Sequence, residues 1–112
     1  MQIEVTTDHN IEGGDDLSQG VQAEVDAALS RFRDRLTRVE VHLADENAGK
    51  HGAADKRCTL EARPRGMKPM AVTHHAATLE EARNGALRKL ETVLERNFGR
   101  LDDRKGRDTI RG

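Results

Sequence analysis

The chain has 112 residues and a mass of 12.4 kDa, the length of one domain. Charged residues make up 35%, yet 19 basic and 20 acidic side chains nearly cancel to a formal −1. No apolar run approaches the roughly 18 residues of a membrane span, and residues 1–12 lack the basic start and apolar run of a secretory signal.

The near-zero balance hides a split. Residues 1–30 hold seven acids (Glu4, Asp8, Glu12, Asp15, Asp16, Glu24, Asp26) and no Lys or Arg. The remainder holds 19 bases against 13 acids. Such asymmetry suits a protein with one surface for an anionic partner and another that avoids it. A salt-laced soluble surface is the plainer account of the same pattern.

Met1 to Thr7 alternates, with Ile3 and Val5 on one side and Gln2, Glu4 and Thr6 on the other, which predicts a strand buried on one face. Gly13-Gly14 breaks it, and Asp15 or Asp16 is the expected N-cap of a helix. Val21, Val25, Ala28, Leu29, Phe32 and Leu36 continue a helical stripe over about twenty residues. Its acidic start and its end, rich in arginine (Arg31, Arg33, Arg35, Arg38), complement the helix dipole.

Val39, Val41 and Leu43 alternate with Glu40 and His42 in a second strand. Asp45 to Asp55, with Gly49 and Gly52, predicts a loop. Cys58, Leu60 and Ala62 mark a third strand, and Pro64 to Pro69 a turn around Gly66. Met70, Val72, His74 and Ala76 line one face of a fourth. Thr78 and Glu81 form a capping box. Leu79, Ala82, Ala86, Leu90, Val93, Leu94 and Leu101 then follow a helical stripe, which Gly99 could end. Residues 102–112 are charged and nearly free of apolar groups, the composition of a flexible tail.

The order β-α-β-β-β-α predicts an α+β fold over residues 1–101. Strands two to four form an antiparallel meander, and the first helix is the crossover that brings strand one into the same sheet. Both helices cover one face; Glu40, His42, Arg57, Thr59 and Glu61 lie on the other.

Little in the chain suggests catalysis or a metal. His74 and His75 are adjacent, so on a strand their rings point to opposite faces. His42 and His75 share the outer face without any familiar metal-ligand spacing. Cys58 alternates with buried positions and reads as an inert thiol; as a lone cysteine it suits a reducing cytoplasm. His74 reads as a buried, hydrogen-bonded ring. No nucleophile motif or Gly-rich phosphate loop occurs, and Asp15 and Asp16 would repel an anion from the Gly13-Gly14 turn. We therefore expect no enzyme activity, no metal and no cofactor.

The last helix is more informative. Gly85, Lys89, Thr92, Arg96 and Arg100 follow helical spacing along one flank, while Glu81, Asn84, Glu91 and Glu95 take the other side. Arg31, Arg35 and Arg38 share a side of the first helix, so the two helices could join their arginines in a phosphate-binding groove. With only Phe32 and Phe98 as aromatics, base stacking of the single-strand-reader kind is disfavoured. Structured RNA, held through phosphates and shape, fits better.

These elements resemble the ribosome hibernation promoting factors, also called ribosome-associated inhibitor or protein Y and once labelled sigma-54 modulation proteins. The resemblance covers residues 1–101. It rests on Met1-Gln2-Ile3, on Leu29-Ser30-Arg31-Phe32, on the strand Val39-Glu40-Val41-His42-Leu43, and on Ala76-Ala77-Thr78-Leu79-Glu80-Glu81-Ala82 leading into residues 88–96 with Lys89, Leu90, Leu94 and Arg96. It implies a fold similar to double-stranded-RNA-binding domains. It also implies a bacterial, cytoplasmic, non-enzymatic factor on the small ribosomal subunit and its rRNA, blocking the messenger and transfer RNA channel in idle cells. Lys89 and Arg96 match RNA-contacting positions of the family, whereas Thr92 stands where a base is common. Arg100, Arg31, Arg35 and Arg38 are the further candidates. The chain looks like a short form without the C-terminal dimerisation domain of the long forms, which implies a monomer. The alternative is a protein-interaction module that docks through its open sheet face or an edge strand.

Overall fold

Alternation of apolar and polar residues sets the sheet. The structure, a computed structural model, describes residues 1–46 and 55–111, with side chains through residue 100. Four strands, β1 (Gln2–Thr7), β2 (Leu36–Asp45), β3 (Lys56–Pro64) and β4 (Met70–Ala76), form one sheet in the order β1-β2-β3-β4. β1 runs parallel to β2, and the other two pairings are antiparallel. The connection from β1 to β2 contains α1 (Gly14–Ala28), as a parallel pairing requires. The second helix, α2 (Leu79–Arg111), follows β4.

Register fixes two faces. Ile3, Val39, Ala62 and Met70 lie in one cross-strand row, and Val5, Val41, Leu60 and Val72 in the next. On the central strands β2 and β3 these residues are fully buried; on the edge strands they are half-buried. α1 contributes Val21 and Val25, and α2 contributes Ala82, Ala86, Leu90, Leu94 and Phe98, all to one hydrophobic cluster. Burying each leucine contributes about 1.5–3 kcal/mol. Cys58 belongs to the same core, and burial pushes its thiol up to about 12.

The predicted first helix divides in two. α1 stops at Ala28, Leu29 caps it, and Ser30–Arg35 forms a 3-10 turn before β2 begins. The apolar spacing of Leu29, Phe32 and Leu36 runs straight through this break, because a 3-10 turn also brings residues three apart to one side. The register then shifts between Leu36 and Arg38, so that Leu36 is buried while Arg38 sits on the outer sheet face. Arg38 is therefore a strand residue, not part of a helical arginine cluster.

Capping also differs at the start of α1. Gly13 is the N-cap, at φ 131°, with no side-chain cap, and Asp15 and Asp16 occupy the first turn. A Cβ at Gly13 would press on Leu17, so glycine is required there for space as well as for conformation. The capping box at the start of α2 forms as expected on its Thr78 side: the Glu81 amide donates to Thr78 Oγ1 at 3.1 Å.

α2 passes through Gly99 and continues to Arg111, so the backbone over residues 102–111 is helical where the sequence suggested a tail. Asp, Arg and Lys are tolerated in a helix, and no proline interrupts them. Leu101 falls outside the described side chains. Of the expected Asp45–Asp55 loop, residues 47–54 lie outside the described residues; Glu46 and Asp55 close the β2–β3 pairing through a 3.0 Å backbone hydrogen bond. Lys56 bridges Asp55 at 3.1 Å and Asp45 at 3.3 Å, and the hydrogen bond to Asp55 leads in raising its pKa. The expected turn after Pro64 is present, with Gly66 at φ 71°.

Candidate nucleic-acid interface

α2 lies antiparallel to β4, and the contacts between them climb in order. Asn97 Nδ2 is 3.6 Å from Met70 Sδ. Lys89 Nζ donates to the Thr73 carbonyl at 2.8 Å. Gly85 passes directly over the His74 ring, where a Cβ would overlap the imidazole. Small residues at Ala82, Gly85 and Ala86 thus let the N-terminal turns of α2 come down on the sheet. His74 is half-buried there, and among the described residues it has no hydrogen-bond partner. The expectation of a hydrogen-bonded histidine does not hold, because the neighbour above it is a glycine.

Along this seam runs an open groove of about 420 Å³ lined by Val72, Arg88, Lys89, Thr92, Val93 and Arg96. It continues toward the start of α2 as a second hollow of about 390 Å³ between His74, Glu81, Asn84, Gly85 and Arg88. Lys89, Thr92 and Arg96 come from the flank predicted by helical spacing. Arg88 was not among the predicted site residues, although it precedes Thr92 and Arg96 at i, i+4 and i+8. Arg100 is exposed one turn beyond Arg96.

Ion pairing separates these cations from the rest. Arg31 pairs with Glu95, Arg33 with Asp26, Arg38 with Glu4 and Glu40, and Lys56 with Asp45 and Asp55. Arg57 pairs with Glu46, Arg63 with Glu40 and Glu61, and Arg83 with Glu24. Among the described residues, Arg88, Lys89, Arg96 and Arg100 have no carboxylate partner, and neither do Arg65 and Lys68. Arg65 and Lys68 sit on the β3–β4 turn, just ahead of Met70, at the end of β4 that Asn97 touches. Arg88, Lys89, Arg96 and Arg100 thus share α2, whereas the Arg65 amide donates to the Arg35 carbonyl at 3.0 Å, just ahead of β2.

Arg31 and Arg35 do not join them. Arg31 lies over the Phe32 ring at 4.6 Å, and Arg35 over the Phe98 ring at 4.0 Å. Their partners on α2, Glu95 and Phe98, are on the side of the helix away from β4. Arg38 is on the sheet's outer face, bound to Glu4. The predicted groove combining both helices is therefore replaced by a seam between α2 and β4.

The outer sheet face closes its own charges. Glu4, Glu40 and Glu61 form one cross-strand row beside Arg38 and Arg63, and Thr59 and Thr73 hydroxyls meet at 3.0 Å in the next row. His42 and His75 are both on this face, as predicted, and His75 Nε2 lies 3.3 Å from Glu46. Among the described residues no cluster of His, Cys, Asp or Glu suits a metal ion, and no helix is long and apolar enough to cross a membrane.

No curated protein matches the chain in sequence. Among solved structures it is similar to the N-terminal domain of Thermus thermophilus Protein Y, at 25% identity and a TM-score of 0.63, over 86% of this chain and 98% of that one. It is also similar in fold to a ribosomal subunit interface protein from Coxiella burnetii, at 17% identity and a TM-score of 0.63, over 88% and 99% of the two chains. The sequence profile of the sigma 54 modulation protein / S30EA ribosomal protein family matches residues 3–102. With that match over nearly the whole described domain, the chain belongs to the sigma 54 modulation protein / S30EA ribosomal protein family.

Proposed function

We propose that this protein is a ribosome-associated factor that binds the small subunit through the α2–β4 flank and blocks the channel for messenger and transfer RNA in idle cells. Family membership supports the association with ribosomes. The observation that carries the choice of surface is the ion-pair pattern. Cations already neutralised by a carboxylate gain little from a phosphate, because the old pair must break first. Arg88, Lys89, Arg96 and Arg100 have no such pair to break among the described residues. Lys89 spends one N–H on Thr73 and keeps two, held at a fixed place beside the groove. Action is by occlusion in the cytoplasm, with no bond made or broken.

Lys89→Glu with Arg96→Glu tests this reading. The folded double variant is expected to leave the small-subunit fraction in a sucrose gradient at moderate salt, while the unaltered protein co-sediments. Undiminished co-sedimentation of the variant would overturn the assignment of the surface.

A further inference from the structure

The groove beside Lys89 has a floor as well as a rim. Val72 of β4 and Val93 of α2 are half-buried and form an apolar bottom, with Arg88, Lys89, Thr92 and Arg96 around it. A surface made only to grip phosphates has no use for an exposed apolar floor. A volume of about 420 Å³ lies within the usual range of small-ligand sites, about 300–1,000 Å³. Building on the function proposed above, we infer that this groove seats one unpaired nucleotide of the bound RNA, its base on Val72 and Val93 and its flanking phosphates on Arg88 and Arg96.

The chemistry of the rim supports a nucleotide over other occupants. Arg88 and Arg96 stand at opposite ends of the groove, two helical turns or about 12 Å apart along the axis. Each brings a planar guanidinium that can hydrogen-bond a phosphate or stack on a base. The Lys89 ammonium is already fixed by Thr73, so little side-chain freedom is lost when a phosphate arrives. Thr92 Oγ1 donates its proton to the Arg88 carbonyl at 3.0 Å, which leaves its lone pairs to accept from a base amino or imino group. No carboxylate lines this groove; Glu81 lines only the neighbouring hollow toward the start of α2. An acidic peptide would meet the same cations, but it has no flat apolar group for the floor.

The scarcity of aromatics does not oppose this. Sequence alone disfavours base stacking because Phe32 and Phe98 are its only aromatics, and the structure packs these two against each other in the core, with ring centroids 5.7 Å apart. The two valines come from different elements and become one surface only when α2 settles on β4.

The test uses the whole protein on purified small subunits. Base-modifying reagents report which rRNA bases are covered, and hydroxyl radicals report backbone contact. The protein is expected to protect at least one unpaired base by about tenfold, the scale of one base stacked on a protein surface. Val93→Lys fills the floor with a cation. At protein concentrations that restore full occupancy of the subunits, it is expected to lose that base protection while the backbone protection remains. Val72→Thr, nearly isosteric and safe for folding, is expected to weaken it in the same direction. Backbone protection with no base whose reactivity depends on Val93 or Val72 overturns the seat and leaves the proposed function standing. Absence of both kinds of protection with the unaltered protein overturns the proposed function itself. Displacement of the protein by a free nucleoside monophosphate at millimolar concentration overturns the assignment to RNA, since one nucleotide lacks the second flanking phosphate.

Discussion

The outer sheet face and the α2–β4 flank both present cations, Arg38, Arg57 and Arg63 on one and Arg88, Lys89, Arg96 and Arg100 on the other, but they treat them differently. On the sheet, cross-strand neighbours place carboxylates next to every arginine: Glu4 and Glu40 by Arg38, Glu40 and Glu61 by Arg63, Glu46 by Arg57. On the flank, no described carboxylate pairs with Arg88, Lys89 or Arg96: Glu95 is taken by Arg31, and Glu91, three residues from Arg88, makes no ion pair with it. The first face is electrostatically closed. The second remains open to an anion, and the difference comes from placement rather than from the number of charges.

Each sheet edge has one carbonyl occupied by a side chain. Lys89 donates to the Thr73 carbonyl on β4, and Gln22 Nε2 donates to the Ile3 carbonyl on β1 at 3.3 Å. A side chain on a free edge carbonyl discourages strand addition. Docking of a protein through the sheet or its edges thus has less support in this geometry than RNA binding along α2.

The sharpest break of this contrast is charge reversal. Arg88→Glu with Arg96→Glu is expected to weaken small-subunit binding by at least about a hundredfold, since two phosphate contacts are lost and two repulsions gained. A gradient or filter assay at moderate salt reads this. Next is Gly85→Ala. Its methyl must displace His74 or lift α2 off β4, so a loss of about 1–3 kcal/mol, the usual cost of overpacking, is expected in a denaturant melt. RNA binding should fall with it, because the seam is also the proposed site. Thr78→Ala removes the α2 cap and is expected to cost about 1 kcal/mol without altering RNA affinity at temperatures where the protein is folded.

The core supplies a check by pH. The Cys58 pKa is raised to about 12 by burial in the folded state, above the value near 8.5 of an exposed thiol. The folded protein holds the proton that the unfolded chain releases, so this group contributes no pH dependence below about 8.5 and lowers stability as pH rises above it toward 12. Slow alkylation of the native thiol at pH 8, and fast alkylation once denaturant is added, is the expected result.

Strand and helix order and the shared flank of Lys89, Thr92 and Arg96 were legible in the sequence because each rests on local periodicity. The break at Leu29 was not. Leu29, Phe32 and Leu36 keep helical spacing through a 3-10 turn and a register shift, so the pattern itself gives no sign of it. Arg38 was misplaced for that reason, although Arg38, Glu40 and His42 alternate against Val39 and Val41 and so belong to the strand. The acid-rich first thirty residues proved to be partners of later cations: Glu4 with Arg38, Glu24 with Arg83, Asp26 with Arg33. Linear charge cannot show such pairing, because it depends on which elements meet. The floor of Val72 and Val93 was hidden for the same reason, and Gly85 was read as one more position on a helix face. A glycine in mid-helix costs about 1 kcal/mol against alanine, which is itself a sign of a close contact.

On the function proposed, a cation's worth to RNA depends on whether it already has a carboxylate. The most direct measurement compares two neutralised pairs, Arg88→Gln with Arg96→Gln and Arg38→Gln with Arg63→Gln, for small-subunit affinity across a range of salt. The flank pair is expected to lower the slope of log affinity against log salt by about two, one for each lost phosphate contact. The sheet pair is expected to leave both slope and affinity unchanged, with stability altered by about 1 kcal/mol or less. Equal losses from the two pairs, or a larger loss from the sheet pair, would contradict the account.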